Sequence, residues 1–200
     1  MIKKNAELSF MMMFVFIVMN FLMSMSSTLF NGILDKIAIA MNISVAQTGY
    51  LSSLYAYGAI GTPLFLMLCR KISHSVLLKA TLLSNIFFGI LSILAANFPL
   101  LLFSRFMLGM FGTAYGVLAT TSIAFLSKSD RVGKNLSLLI TGSATALMVG
   151  LPICRILINH YTWQSIYFIL ILLMILGLIY FMIFLPEVKV KNSNQNLKTE

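Results

Sequence analysis

Residues 8–30 read LSFMMMFVFIVMNFLMSMSSTLF, from Leu8 to Phe30 without one charged side chain. A helix rises 1.5 Å per residue, so about 20 apolar residues cross the hydrocarbon of a bilayer. Lys3 and Lys4 precede the run, which is how a secretory leader begins. The run is longer than a leader's apolar stretch of about 7–15 residues, however, and the cluster from Ser24 to Ser27 lacks an alanine-type cleavage site. We read it as a membrane-spanning helix, because hydrocarbon leaves a backbone no partners but its own.

The rest of the sequence extends this reading. Of the 200 residues, 60% are hydrophobic and 10% are charged. Soluble domains run nearer 45–50% and 25%. Five more apolar blocks, near 47–69, 76–96, 100–126, 136–158 and 165–185, give an all-α membrane protein of six transmembrane helices. Pro99 falls at the start of the fourth helix, where a missing N–H costs nothing, and Pro186 ends the sixth. Residues 1–187 form the bundle, and the polar tail 188–200 is expected to be disordered.

The net charge of +9 belongs to the connections between blocks and not to one polar face, which argues against a nucleic-acid partner. Lys3, Lys4, Arg70, Lys71, Lys79, Lys128, Arg131, Lys134, Lys189, Lys191 and Lys198 fall on one side of the predicted topology, and in the loops of the other side only Lys36 does. This 11:1 asymmetry predicts that both termini are cytoplasmic. Tyr161 and Trp163 then sit at the outer headgroup level. Cys69 and Cys154 are placed toward opposite faces, so neither a disulfide nor a shared metal is expected.

A shift of 89 residues lays the second and third blocks on the fifth and sixth, and superposes Gly61-Thr62-Pro63 on Gly150-Leu151-Pro152. The chain thus reads as two three-helix units. Three is odd, so the second unit enters the membrane from the opposite side. Inverted repeats with matched Gly/Pro interruptions characterise secondary transporters. Evenly spaced helices also match at some offset by coincidence, and that alternative stands beside the repeat.

Several spans carry polar or small residues on one stripe. Arg105, Gly109, Gly112 and Gly116 stay within about 60° of one another on a helix. Glycines in such a row let a neighbouring backbone approach closely. Two readings of Arg105 are open. It lines a transport path, contacting an anionic or polar solute or holding a gate, or it snorkels to the interface from near the helix end. The first span offers Asn20, Ser24, Ser27 and Asn31 at the same spacing, either facing a solute or bonding other helices. In the fifth span Gly142, Ala146 and Gly150 recur every four residues before Pro152, which is expected to bend the helix. Gly58, Gly61 and Pro63 are the counterpart in the second span.

No carboxylate lies within a span: Glu7, Asp35, Asp130, Glu187 and Glu200 are at ends or in loops, and His74 and His160 read as loop residues. No proton relay is therefore visible, and no hydrolase or nucleotide-binding motif occurs. An enzyme is not expected, nor is a metal or a cofactor.

Certain segments carry a family resemblance: Ile37-Ala38, Tyr50-Leu51 and Tyr55-Ala56-Tyr57-Gly58 through Pro63; Ser104-Arg105-Phe106 with Gly109 and Gly112; Asp130-Arg131-Val132-Gly133-Lys134; Gly142 with Gly150-Leu151-Pro152; and Thr162-Trp163-Gln164 with Phe168. Together, over about residues 8–187, they resemble the N-terminal six-helix half of a major facilitator superfamily transporter, in particular the bacterial efflux group that exchanges drugs, sugars or purines for protons. The resemblance implies a multi-pass protein of the bacterial inner membrane, a small-molecule substrate, an Arg105 stripe engaged in proton transfer, and a Gly142 to Pro152 stretch that shapes closure. Two departures stand out. The loop Cys69-Arg70-Lys71-Ile72-Ser73-His74-Ser75 lacks the family's acidic residue, and Cys154-Arg155 stands where relatives often carry a second glycine. Relatives have about twelve spans, so a second six-helix bundle, another half or a second copy, is the expected partner. The alternative is a non-transporting membrane protein: a truncated remnant, or a subunit that pairs with an intact transporter.

Overall fold

In the computed structural model, which describes residues 9–186, the helices are α1 (Phe10–Gly32), α2 (Leu34–Met41), α3 (Val45–Leu68), α4 (His74–Ile93), α5 (Phe98–Leu126), α6 (Val132–Thr145), α7 (Leu151–Leu157) and α8 (Trp163–Phe184). Among the described residues six segments are long and apolar enough to cross a membrane: α1, α3, α4, α5, the continuous stretch Val132–Leu157, and α8. The polar tail 188–200 lies outside the described residues.

Three spans start a little before their apolar block because a polar residue caps them. Gln47 N–H donates to Ser44 Oγ (3.2 Å) and Ser44 N–H to Gln47 Oε1 (2.9 Å), a reciprocal capping box that starts α3. Leu100 N–H donates to Asn97 Oδ1 (3.0 Å) and Ser165 N–H to Thr162 Oγ1 (3.4 Å), which start α5 and α8. The short α2 ends at Asn42, whose left-handed backbone (φ 52°) turns the chain into α3.

The packing follows the repeat. α3 packs chiefly on α5 and the fifth span chiefly on α1, while α4 packs on both α5 and α8. Exchanging first with fourth, second with fifth and third with sixth spans maps the α3–α5 pair onto the pair made by the fifth span and α1. The two members of each pair run in the same direction yet come from different three-helix units.

Glycines permit both close approaches. A methyl group added at Gly58 would overlap the Phe106 carbonyl, and one at Gly109 the carbonyl of Tyr55. At Gly142 it would come within 2.5 Å of the Ile17 carbonyl. Close backbone contact of this kind supplies the van der Waals attraction that holds helices together in lipid, where burial gains little. Aromatic pairs fill the centre, with the Phe16 and Phe181 rings 4.7 Å apart and Phe30 edge-on to Trp163 and Tyr167 at 5.6 and 5.5 Å.

The two Gly-x-Pro sites behave differently, against the expectation of matched interruptions. Before Pro152 the chain forms a π turn, Ala146–Gly150, in which Leu151 N–H reaches the Ala146 carbonyl. Proline lacks an N–H and its ring crowds the carbonyl four residues back, and the wider turn relieves that clash. α3 runs through Pro63 as unbroken α-helix. There α5 grips both sides: Thr62 Oγ1 donates to the Met110 carbonyl (2.9 Å), and Phe65 meets the Phe111 ring edge-on at 5.2 Å.

Candidate functional site

α1, α3 and α5 each bring the middle of a helix to one cavity of about 180 Å3. Asn20, Met23, Ser24 and Ser27 line it from α1, Tyr55 from α3, and Gly112, Thr113, Tyr115 and Gly116 from α5. The spacing of Asn20, Ser24 and Ser27, four residues and then three, holds them on one face of α1. Open space lies where a side chain at Gly116 would stand, so this glycine widens the cavity and seals no crossing. A second hollow, lined by Thr113, Gly116, Val117, Thr120 and Thr121, adjoins the first and runs along α5 toward the end where Lys128 and Arg131 lie.

Arg105 stands behind this wall. Its side chain is 1% exposed and lies outside the lining. The guanidinium is sandwiched between two rings, with Cζ 4.2 Å from the centre of Phe30 and 4.8 Å from that of Tyr55. Nη2 donates to the Ser27 carbonyl (3.0 Å) and Nη1 to that of Ser26 (3.4 Å), while Nε is buried without a partner. No carboxylate pairs with Arg105 among the described residues. Two desolvated cation–π contacts at about 2 kcal/mol each, with two charge-assisted hydrogen bonds, outweigh the cost of about 2.5–3.5 kcal/mol for an arginine at membrane depth. The snorkelling alternative is therefore not what the chain adopts. The aromatic sandwich holds the cation inside, and Arg105 ties α1 to α5 directly beside the cavity.

The remaining residues singled out from sequence divide by position. Asn31 is exposed near the end of α1, where its Oδ1 accepts from Ser52 Oγ, and takes no part in the lining. Gly58, Gly109 and Gly142 are crossing points, and Gly150 sits against the Met25 sulfur. Gly61 makes an ordinary contact with Met110 Sδ at 3.7 Å, Ala146 is fully buried at the head of the π turn, and Pro63 is exposed. Two polar residues belong to the scaffold in ways the sequence did not suggest. His74 is no loop residue: it opens α4, with Nε2 3.0 Å from the Leu118 carbonyl and 3.1 Å from Ser122 Oγ on α5. Arg155 Nε donates to the Gly32 carbonyl (3.2 Å), where a cation is favoured by the C-terminal end of α1.

Tyr55, Thr113 and Tyr115 were not assigned to the site from sequence. Thr113 and Tyr115 lie between two glycines of the Arg105 stripe, and that polar interruption of an apolar helix was the available signal. No group of three His, Cys, Asp or Glu side chains that could hold a metal occurs among the described residues.

Among the described residues six membrane-length helices, three of which line a polar cavity near their middles, define an integral membrane bundle with a hollow on one side. The model of the Major Facilitator Superfamily matches residues 16–200, and the chain belongs to that family. The family's activity is the transport of solutes across membranes, and the protein is a multi-pass membrane protein.

Proposed function

We propose that the chain forms one wall of a solute path in an efflux-type permease, and that solute crosses as this bundle rocks against a second six-helix bundle. The observation that carries the proposal is the cavity among α1, α3 and α5, built from Asn20, Ser24, Ser27, Tyr55, Thr113 and Tyr115 at the middle of their helices. Secondary transporters hold solute near the midplane, at the interface between repeats. α1 and α5 are the first helices of the two units, so the cavity lies at that interface. Exchange for protons rests on the likeness of the Arg105 to Gly116 and Gly142 to Pro152 stretches to the efflux group. The charge asymmetry supports a cytoplasmic location for the end carrying Arg70, Lys71, Lys128 and Arg131.

The test uses vesicles carrying the chain together with its second bundle, loaded with a panel of labelled small organic solutes and given a pH gradient. The expected result is gradient-driven movement of at least one solute, abolished by a protonophore and by Gly112→Trp, which fills the cavity. Absence of movement for every solute, with the bundle correctly inserted, would overturn the transport reading in favour of a non-transporting subunit. Saturable efflux by a monodisperse single copy would overturn the need for a second bundle.

A further inference from the structure

The six spans differ in what they leave uncovered. Over their most apolar 18 residues α3 and the fifth span are 17% and 22% buried, and the other four 39% or 44%. The exposed side chains of α4 from Val76 to Leu94, and of α8 from Phe168 to Phe184, are all apolar, as a lipid-facing surface is. On α3 and the fifth span, by contrast, Ser53, Tyr57, Thr141 and Thr145 are exposed. Ser53, Thr141 and Thr145 donate to carbonyls of their own helices. Tyr57 does not: its side chain is 62% exposed at the middle of α3, and its hydroxyl has no hydrogen-bond partner among the described residues. Facing hydrocarbon, such a hydroxyl forfeits the hydrogen bond that water would supply.

The fifth span exposes a matching acceptor. Pro152 has no N–H to give to the π turn before it, so a carbonyl of that turn lacks its helical donor. Leu147, Met148 and Val149 leave the outer side of the turn open, with Met148 77% exposed. Donor and acceptor lie at one depth. Asn31 on α1 meets Ser52, and Tyr57 stands five residues nearer the end that carries Arg70 and Lys71, level with Ser26 of α1. Gly150 meets Met25, which sets Leu151 at the level of Ser26. By the same count Leu64 is level with Ala144 and Met67 with Thr141, all four exposed, so large side chains on α3 match small ones on the fifth span. Within one copy the two faces do not cover each other, because α3 packs on α5 and the fifth span on α1.

One face with a donor and large side chains, and another with an acceptor and small ones at the same depths, fit each other between two copies. A two-fold axis along the membrane normal makes both contacts at once and keeps the basic ends of the copies on one side. No charged side chain lies between Tyr50 and Leu68 or between Ser137 and Ile153, so like charges do not meet. We infer that the second bundle is a second copy of this chain, with α3 of each copy packed on the fifth span of the other and Tyr57 donating to the open carbonyl of the π turn. This names the partner in the transport reading and rests on that reading only for what the pair does.

The full chain, with Cys69 and Cys154 replaced by alanine, is made in two differently tagged forms, Leu64→Cys and Ala144→Cys, and the two are reconstituted together. Mild oxidation is expected to link the two tags in one dimer. Leu83→Cys on the apolar face of α4, combined with Ala144→Cys, is expected to give none. Energy transfer between labelled copies, followed on dilution into lipid, should show Tyr57→Phe raising the dimer dissociation constant about eightfold, two hydrogen bonds of about threefold each. A monomer at every protein-to-lipid ratio, linkage through Leu83→Cys as ready as through Leu64→Cys, or indifference to Tyr57→Phe would each overturn the inference. A linked dimer that moves no solute would instead sink the transport reading and leave this one standing. Transport by the chain with a different bundle, and no dimer, would do the reverse.

Discussion

Gly109 of α5 lies against the carbonyl of Tyr55 on α3, so closely that one added methyl group would overlap it. Backbone cannot swing aside as a long side chain can. The crossing therefore admits only glycine, and the reciprocal contact of Gly58 with the Phe106 carbonyl doubles the restriction.

Gly109→Ala and Gly58→Ala should each destabilise the bundle by about 1–3 kcal/mol, the range for overpacking. Gly116→Ala, with open space at the same atom, should be close to neutral. Thermal unfolding of the detergent-solubilised protein separates the two outcomes. Equal melting temperatures for all three variants would mean that the crossing is looser than described.

Arg105→Ala should abolish solute movement in the complete assembly while membrane insertion persists. Arg105→Lys should not restore it. One ammonium cannot present a flat face to both Phe30 and Tyr55 while bonding the carbonyls of Ser26 and Ser27. Transport assays on vesicles with matched protein content check this. Undiminished transport with reduced expression would make the role of Arg105 purely architectural.

Ser26 Oγ and Tyr167 Oη are 2.6 Å apart, joining the first span to the sixth. A double-mutant cycle of Ser26→Ala and Tyr167→Phe should give a coupling energy of about 0.6 kcal/mol and no more than about 1.7, as for other hydrogen bonds inside membranes. A cycle that closes at zero would show that the two hydroxyls are independent.

Single cysteines replacing Lys71 and Lys128, in a background without Cys69 and Cys154, should react with an impermeant thiol reagent from the cytoplasmic side, and one replacing Lys36 from the other. Labelling of the Lys71 and Lys128 positions from different sides would break the topology, and with it the inverted relation between the two halves.

Much of the bundle was legible because hydrocarbon imposes a length and an apolar composition that a sequence displays directly. The blocks near 100–126 and 165–185 became α5 and α8 with small changes at their ends. Those starts shifted because Asn97 and Thr162, polar residues that a hydropathy window discards, are the caps. α2 was not foreseen, since eight residues containing Asp35 and Lys36 carry no membrane signal. At the site, the α1 stripe of Asn20, Ser24 and Ser27 was visible as spacing, and those residues do meet in one cavity. The surroundings of Arg105 were not visible, because Phe30 and Tyr55 come from two other helices and no local pattern pairs them with it. Tyr115 escaped notice because an aromatic side chain in an apolar block reads as packing until its hydroxyl is seen to lack a partner.

The wide turn at Ala146–Gly150 has a geometric consequence for the whole fifth span. A row of small residues spaced every four positions overshoots a full circle by about 40° at each step in a regular helix, so it would wind around its neighbour. One looser coil takes up that excess. Gly142 meets Ile17 and Gly150 meets Met25, eight residues further along both helices, while Arg155 still reaches Gly32 near the far end. The fifth span consequently keeps the same small-residue face on α1 over these eight residues, where a regular helix would have turned part of that face away.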